Sequence, residues 1–398
     1  MHRQRISFIF LNIGHFFDHL FLLIFATVAA LILTTDWGLS YAELIPYATP
    51  SFIAFGACSI PAGWIADKWS REGMMVIFFV GIGASSILTG QAQTPVQMSI
   101  GLTAIGAFAA IYHPVGLAMV VEGRTKIGIP LAINGVWGNL GVASAALLTG
   151  FLIDMTSWRI AFWLPGAVAI LTGAAYFIFI QGSEVPGKTA NVRPVIEPPF
   201  IERNTLIRLF AIIFFSTAIG GMVFQSTTFA LPKVFAERLG DFAPSATMIG
   251  WYAFLVFAIG ALAQLVIGYL LDRQSVRLVF VVVAATQMVL FTIMQQLTGL
   301  AALIVAIGFM LVVFGQIPIN DVLIGRIAKS EWRSRVYAFR YLMTFSVMAT
   351  SVPIIAWIHA NWGFDRLFLV LAVVAGFILV AVFMLPKYSS VVQAQPAE

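Results

Sequence analysis

The chain has 398 residues, of which 60% are apolar and only 10% charged, with a formal net charge of +5. Soluble domains carry roughly 45–50% apolar and about 25% charged residues, so a soluble globular fold is excluded. The basic residues are scattered singly over short segments, which is no nucleic-acid footprint, and Cys58 is the only cysteine, so no internal disulfide or thiolate metal site can be built.

Apolar runs of about 20 residues recur along the chain, each long enough to cross roughly 30 Å of hydrocarbon. The short period-2 segments of a β-barrel are not seen. The fold class is an all-α membrane protein with twelve predicted spans in two six-helix bundles. The first six run about 6–34, 42–66, 73–91, 96–121, 129–153 and 159–181. The second six run about 205–232, 245–271, 277–296, 300–325, 336–359 and 364–386. Between them, Pro186, Pro194, Pro198, Pro199 and several charges mark a linker. The organisation is thus a bundle at 1–181, a linker at 182–204 and a bundle at 205–398. The first run is too long for a signal-peptide core and carries His and Asp, so it reads as a retained helix.

Charge inside a bilayer costs free energy, so an ionisable residue there is a functional candidate. In span one, Asp18 lies roughly 18 Å along the helix from Ile6, near mid-membrane. His15, Asp18 and His19 are spaced i, i+3, i+4 and share one face, with Asn12 a turn earlier. A buried carboxyl beside imidazoles is suited to taking and releasing a proton. The same residues can instead pin helices together. With His113 they can also supply imidazole and carboxylate to a transition metal.

Span two ends in Gly63, Asp67, Lys68 and Arg71; span eight ends in Gly268, Asp272, Arg273 and, a little further on, Arg277. The same pattern at the same place in each half makes the halves two copies with one orientation. The glycines let another helix approach closely. The aspartates can accept from a neighbouring helix N-terminus. In span four His113 precedes Pro114, which removes a backbone donor and should kink the helix. Span five carries Asn134, Gly138, Gly141 and Ala145 along one face, and Trp137, which can stack on a cargo or simply pack. Gln225, Gln316 and Asn320 are neutral polar residues at helix depth in the second half and are candidates for substrate contact. Asp321 and Arg340 lie shallow in spans ten and eleven. They can pair as a gate, or Arg340 can attract an anionic cargo.

Lys and Arg favour the cytoplasmic side. With the N-terminus inside, only Arg159, Lys233, Arg238 and Arg366 face outward, and both termini are cytoplasmic. No phosphate-binding glycine loop or nucleophile–base arrangement occurs, so neither ATP-driven transport nor an enzyme is expected.

With twelve spans, a basic linker and the paired Gly-x-x-x-Asp-basic loops, the chain resembles the major facilitator superfamily, whose fold has two parallel halves, each with nested inverted repeats. More narrowly, Gly14-His15-Phe16-Phe17-Asp18-His19, Tyr112-His113-Pro114, Gly123-Arg124, Asn134-Gly135 and Gly138-Asn139-Leu140-Gly141 resemble the fosmidomycin-resistance type of exporter. The resemblance implies alternating access, with the charged loops latching the outward-facing state. It also implies proton-driven export of a small organic compound across a cell membrane, with the proton as coupling ion and no other cofactor. A monomer in a lipid bilayer is the expected working unit. Import of a small organic anion or carriage of a metal is the alternative.

Overall fold

The computed structural model describes residues 2–122, 128–182, 202–327 and 330–385. Most of the expected linker, Gly123-Arg124 and the tail from 386 lie outside them. Every regular element among the described residues is a helix, and eleven runs are long and apolar enough to cross a membrane. They are α1 (Arg3–Trp37), α2 (Tyr41–Lys68), α3 (Arg71–Thr89), α4 (Pro95–Val121), α5 (Ile129–Met155), α6 (Ile160–Gln181), α7 (Arg203–Arg238), α8 (Ala246–Arg273), α9 (Val276–Met294), α10 (Gly299–Ile324) and α11 (Leu342–Phe383).

The last of these runs holds two helices. The runs expected as spans eleven and twelve are two helices within Ser330–Phe383, joined across a kink at Gly363 (φ 71°, ψ −172°). Glycine adopts that positive-φ backbone without penalty, so the chain turns within a single residue and no loop separates the two arms.

Elsewhere short polar residues set the helix starts. Ser70 Oγ accepts from the Gly73 amide at 3.0 Å and Ser275 Oγ from the Leu278 amide at 3.2 Å. Each satisfies an amide that the first helical turn leaves without a partner. Both serines stand three residues after the aspartate of a repeated loop, so the repeat fixes the start of α3 and of α9 alike.

Contacts gather the chain into two compact units, 1–192 with 229–258, and 193–228 with 259–398. In the first, α1 packs along α5, α3 along α6 and α2 along α4. A Cβ on Gly141 would lie 2.2 Å from the Phe16 carbonyl oxygen, so α1 and α5 touch backbone to backbone there. Phe21, Phe25, Phe78, Phe79 and Phe162 fill the interior. The segment 229–258 joins this unit through the first turn of α8. Asp154, at the end of α5, accepts from the Thr247 amide at 2.7 Å and the Thr247 hydroxyl at 2.6 Å. In the second unit α9 packs on α10 and α11 around Ile213, Phe280, Ile319, Ile324 and Ile378. Large apolar residues such as Leu88, Leu171 and Ile304 point outward, which suits hydrocarbon rather than water as the surrounding solvent.

Candidate functional site

The polar interior of the first unit is built from α1, α4 and α5. Asp18 is completely buried (0% exposed), with Asn12 and His15 beside it on the same face of α1. In α4 the helix widens into a π-turn over Tyr112–Gly116. Pro114 has no amide to give the ladder, so the hydrogen-bond register slips there. The bend expected at Pro114 is therefore a local widening, and it carries Tyr112 and His113 into the interior.

His113 Nε2 stands 3.3 Å from Asp18 Oδ2, and His19 Nε2 stands 4.0 Å from the same oxygen. Neither carboxyl oxygen of Asp18 has a hydrogen bond. The side chains of His19 and His113 keep 25% and 14% of their surface exposed, so they form the accessible edge of a cluster whose acid is sealed behind them.

His15 plays a different part. Its Nδ1 lies 2.7 Å from the Asn134 carbonyl oxygen. A carbonyl only accepts, so Nδ1 carries the proton and donates. The ring stacks on Tyr112 with centroids 4.8 Å apart. A Cβ on Gly138 would fall 2.6 Å from His15 Nε2, so the missing side chain makes the notch in which the ring lies. The Asn134 side-chain amide donates to Asn12 Oδ1 at 2.9 Å and to the Tyr112 hydroxyl at 2.8 Å. That hydroxyl donates to the Leu11 carbonyl at 2.8 Å. Asn134 and Tyr112 thus tie three helices together and hold the histidines in place. Sequence alone does not mark Tyr112 as a hub, because its hydroxyl is a single polar atom on an otherwise apolar ring. Its position next to His113 is the one signal that points to it. Trp137, a turn along α5 from Asn134, is half-buried.

A ring nitrogen from each of His15, His19 and His113 lies within 4.8 Å of the others. A zinc ion with bonds of about 2.0–2.1 Å holds its nitrogens ~3.3 Å apart. His15 Nδ1 is already committed to Asn134 and His113 Nε2 faces Asp18. At the widest of these separations the nitrogens would have to draw together to share one ion.

The second unit has its own buried polar group, made of neutral side chains. Gln287 donates its amide to Gln316 Oε1 at 3.0 Å. Ser216 Oγ donates to Asn320 Oδ1 at 3.0 Å, and Gln316 Nε2 reaches the Ser216 carbonyl at 3.4 Å. Gln225 is buried and its Nε2 has no hydrogen bond. Gln287 is absent from the candidates that the sequence offers; nothing near it in α9 marks it, and its partner lies on α10. Arg340 is buried and forms an ion pair with Asp321. The pairing is within one unit.

The repeated loops are not equivalent. Asp67 accepts from Arg71 at 2.8 Å, one turn on, and Arg71 also stands 3.6 Å from Glu122. The aspartate therefore meets its own loop's guanidinium rather than a helix N-terminus, because that fork is the nearest donor. Lys68 lies over the Trp64 ring at 4.8 Å and Arg273 over Tyr269 at 4.2 Å. A Cβ on Gly63 would meet Pro114 at 3.2 Å, whereas one on Gly268 would meet nothing within 4 Å. The close approach expected at both glycines occurs at Gly63 alone. Asp272 is exposed.

The model of the Major Facilitator Superfamily matches this chain over residues 11–240 and again over 213–398. The chain belongs to that superfamily, and its long apolar helices make it a multi-pass membrane protein. It is 29% identical over 139 residues to the puromycin resistance protein of Streptomyces alboniger, covering 34% of this chain and 28% of that protein. It is 31% identical over 160 residues to an MFS-type transporter of Mycobacterium tuberculosis, covering 38% of this chain and 22% of the relative. The matches thus span less than a third of those relatives' length. Among solved structures, a bacterial homologue of the human lysosomal transporter Spinster superposes with a TM-score of 0.78 at 13% identity, covering 98% of both chains. A D-xylose–proton symporter superposes with a TM-score of 0.77 at 12% identity, covering 98% of this chain and 99% of the other. At those identities the likeness is one of fold.

Proposed function

We propose that this protein is a proton-coupled exporter of a small organic compound, working by alternating access between two six-helix bundles at 1–181 and 205–398. The arms on either side of Gly363 count as the eleventh and twelfth crossings, and both termini lie on the cytoplasmic side of the cell membrane. The protein works as a monomer and needs no cofactor beyond the coupling proton. The observation that carries the reading is Asp18, an acid fully buried, without a hydrogen bond to either oxygen, and faced by two imidazoles. Such a group asks for a proton or a cationic partner, and competition between the two is the logic of antiport. The resemblance of the segments around His15–His19 and His113–Pro114 to fosmidomycin-resistance-type exporters supports export, as does the likeness to a puromycin resistance protein.

The experiment follows proton movement by fluorescence in energised inside-out vesicles while small organic compounds, organic acids and divalent metals are added. An exported compound releases protons, and the response disappears in Asp18→Asn while the variant still inserts. Uphill transport unchanged in that variant would refute the coupling role. Proton-dependent flux in the opposite direction would favour an importer. The ion pair that occupies Arg340 already disfavours a free anion site there.

A further inference from the structure

Asp18 cannot meet water directly, since none of its surface is exposed. Its nearest polar neighbours across the cluster are His113 Nε2 at 3.3 Å and His19 Nε2 at 4.0 Å. Both imidazoles reach the open edge. These rings lie between the carboxylate and the surface that the two histidines expose.

We infer that His113 is the relay through which Asp18 exchanges its proton with water. The inference rests on the coupling role proposed for Asp18 and adds the route. His113 is nearer to the acid than His19 by 0.7 Å, the difference of those two distances. It also sits on a π-turn, a backbone feature that often marks functional sites. Efficient proton transfer wants about 2.6–3.2 Å between heavy atoms, so a displacement of a few tenths of an ångström brings Nε2 within reach. The step balances simply. A His113 imidazolium loses its Nε2 proton, the N–H bond breaks, and an O–H bond forms at Asp18 Oδ2. A neutral imidazole with its proton on Nδ1 remains, and a hydronium ion that reaches Nε2 recharges it and leaves as water. Release runs in reverse.

Several groups that face His113 can be named. From α1 come His15, Asp18 and His19, and from α4 itself comes Tyr112. From α2 comes Phe55, which does not titrate. His15 is held by Asn134 through its protonated Nδ1 and stacked on Tyr112, so it is anchored rather than exchanging. The assignment makes His113 a carrier of the coupling proton.

The test needs no cargo. The protein is reconstituted in lipid and subjected to a pH jump while the infrared C=O band of a protonated carboxyl is followed. The band belonging to Asp18 is the one missing from Asp18→Asn. His113→Asn and His113→Gln should slow its appearance tenfold or more, in keeping with the roughly 10²–10⁴-fold worth of a positioned acid–base group. Added imidazole should restore the rate, which it would not do for a residue that merely packs. Protonation of Asp18 at the wild-type rate in either folded variant would overturn the relay, as would slow protonation that imidazole leaves slow. If no band is lost in Asp18→Asn, the acid does not titrate and the coupling role itself falls. If that band is present but indifferent to His113, only the relay falls.

Discussion

The two halves share a fold plan and a loop motif, yet their interiors hold different chemistry. The first unit buries an acid and surrounds it with His15, His19 and His113. The second buries Ser216, Gln225, Gln287, Gln316 and Asn320, all neutral at any physiological pH. An amide network can present donors and acceptors but cannot change charge. The buried charge of the second unit, Arg340, is answered by Asp321, whereas neither oxygen of Asp18 has a hydrogen bond. Polar groups inside a membrane are tolerated when they find partners. The second unit largely meets that condition, with Gln287 on Gln316 and Ser216 on Asn320. The first unit does not, because both oxygens of Asp18 go without a hydrogen bond. A buried acid left in that condition suits a partner that comes and goes.

The sharpest way to break this contrast is to neutralise each half in turn. Asp18→Asn should remove cargo-driven proton movement entirely, measured in vesicles with the amount of inserted protein held equal. Gln316→Leu should keep proton movement and its pH profile while weakening cargo binding, since it leaves Gln287 Nε2 without its acceptor. Loss of a buried partner costs about 1–3 kcal/mol, so a melting temperature lowered by several degrees should accompany it. A Gln316→Leu variant whose pH profile shifts would show that the second half shares the ion chemistry.

A smaller effect probes what holds the charged half in register. Gly141 is the backbone contact between α1 and α5, and a methyl there would press on the Phe16 carbonyl oxygen. Gly141→Ala should therefore destabilise by about 1–3 kcal/mol through overpacking and displace the face that carries His15 and Asp18. Gly135→Ala, on the same helix with nothing within 4 Å of the new methyl, should be neutral or slightly stabilising. Thermal melting in detergent separates the two. Equal melting temperatures would mean that α1 slides freely on α5.

Much of this is legible from residue order because the bilayer is an exacting solvent. Apolar runs of about 20 residues have few fates there, and an aspartate in mid-span is hard to explain as decoration. The i, i+3, i+4 spacing puts His15, Asp18 and His19 on one face without any coordinates. The partners across helices are not legible. Nothing in α9 announces that Gln287 meets Gln316, and nothing in Asp67 says that Arg71 rather than a distant helix end is its donor. Tyr112 joins α1 to α5 through one hydroxyl that local sequence does not distinguish from an aromatic of the core. The junction of the last two helices at Gly363 is hard to read for a related reason. A break one residue wide leaves no loop composition to read, and a helix resumes at once on its far side.

The mildest expected effect tests whether the repeated loops have diverged as their interiors have. Gly63 lies against Pro114, where a methyl would come within 3.2 Å, while the corresponding side of Gly268 is open. A contact of that length asks Pro114 to yield by a few tenths of an ångström, and Pro114 belongs to the π-turn that positions His113. Gly63→Ala should therefore disturb the charged cluster from a distance, seen as slower protonation of Asp18 with little change in melting temperature. Gly268→Ala meets no neighbour and gains helix propensity, worth up to about 1 kcal/mol, so it should raise the melting temperature slightly and leave the proton reaction untouched. If Gly268→Ala instead impaired transport, the open side of that glycine would have to close during the cycle. The two loops would then be alike in function although unlike in this structure.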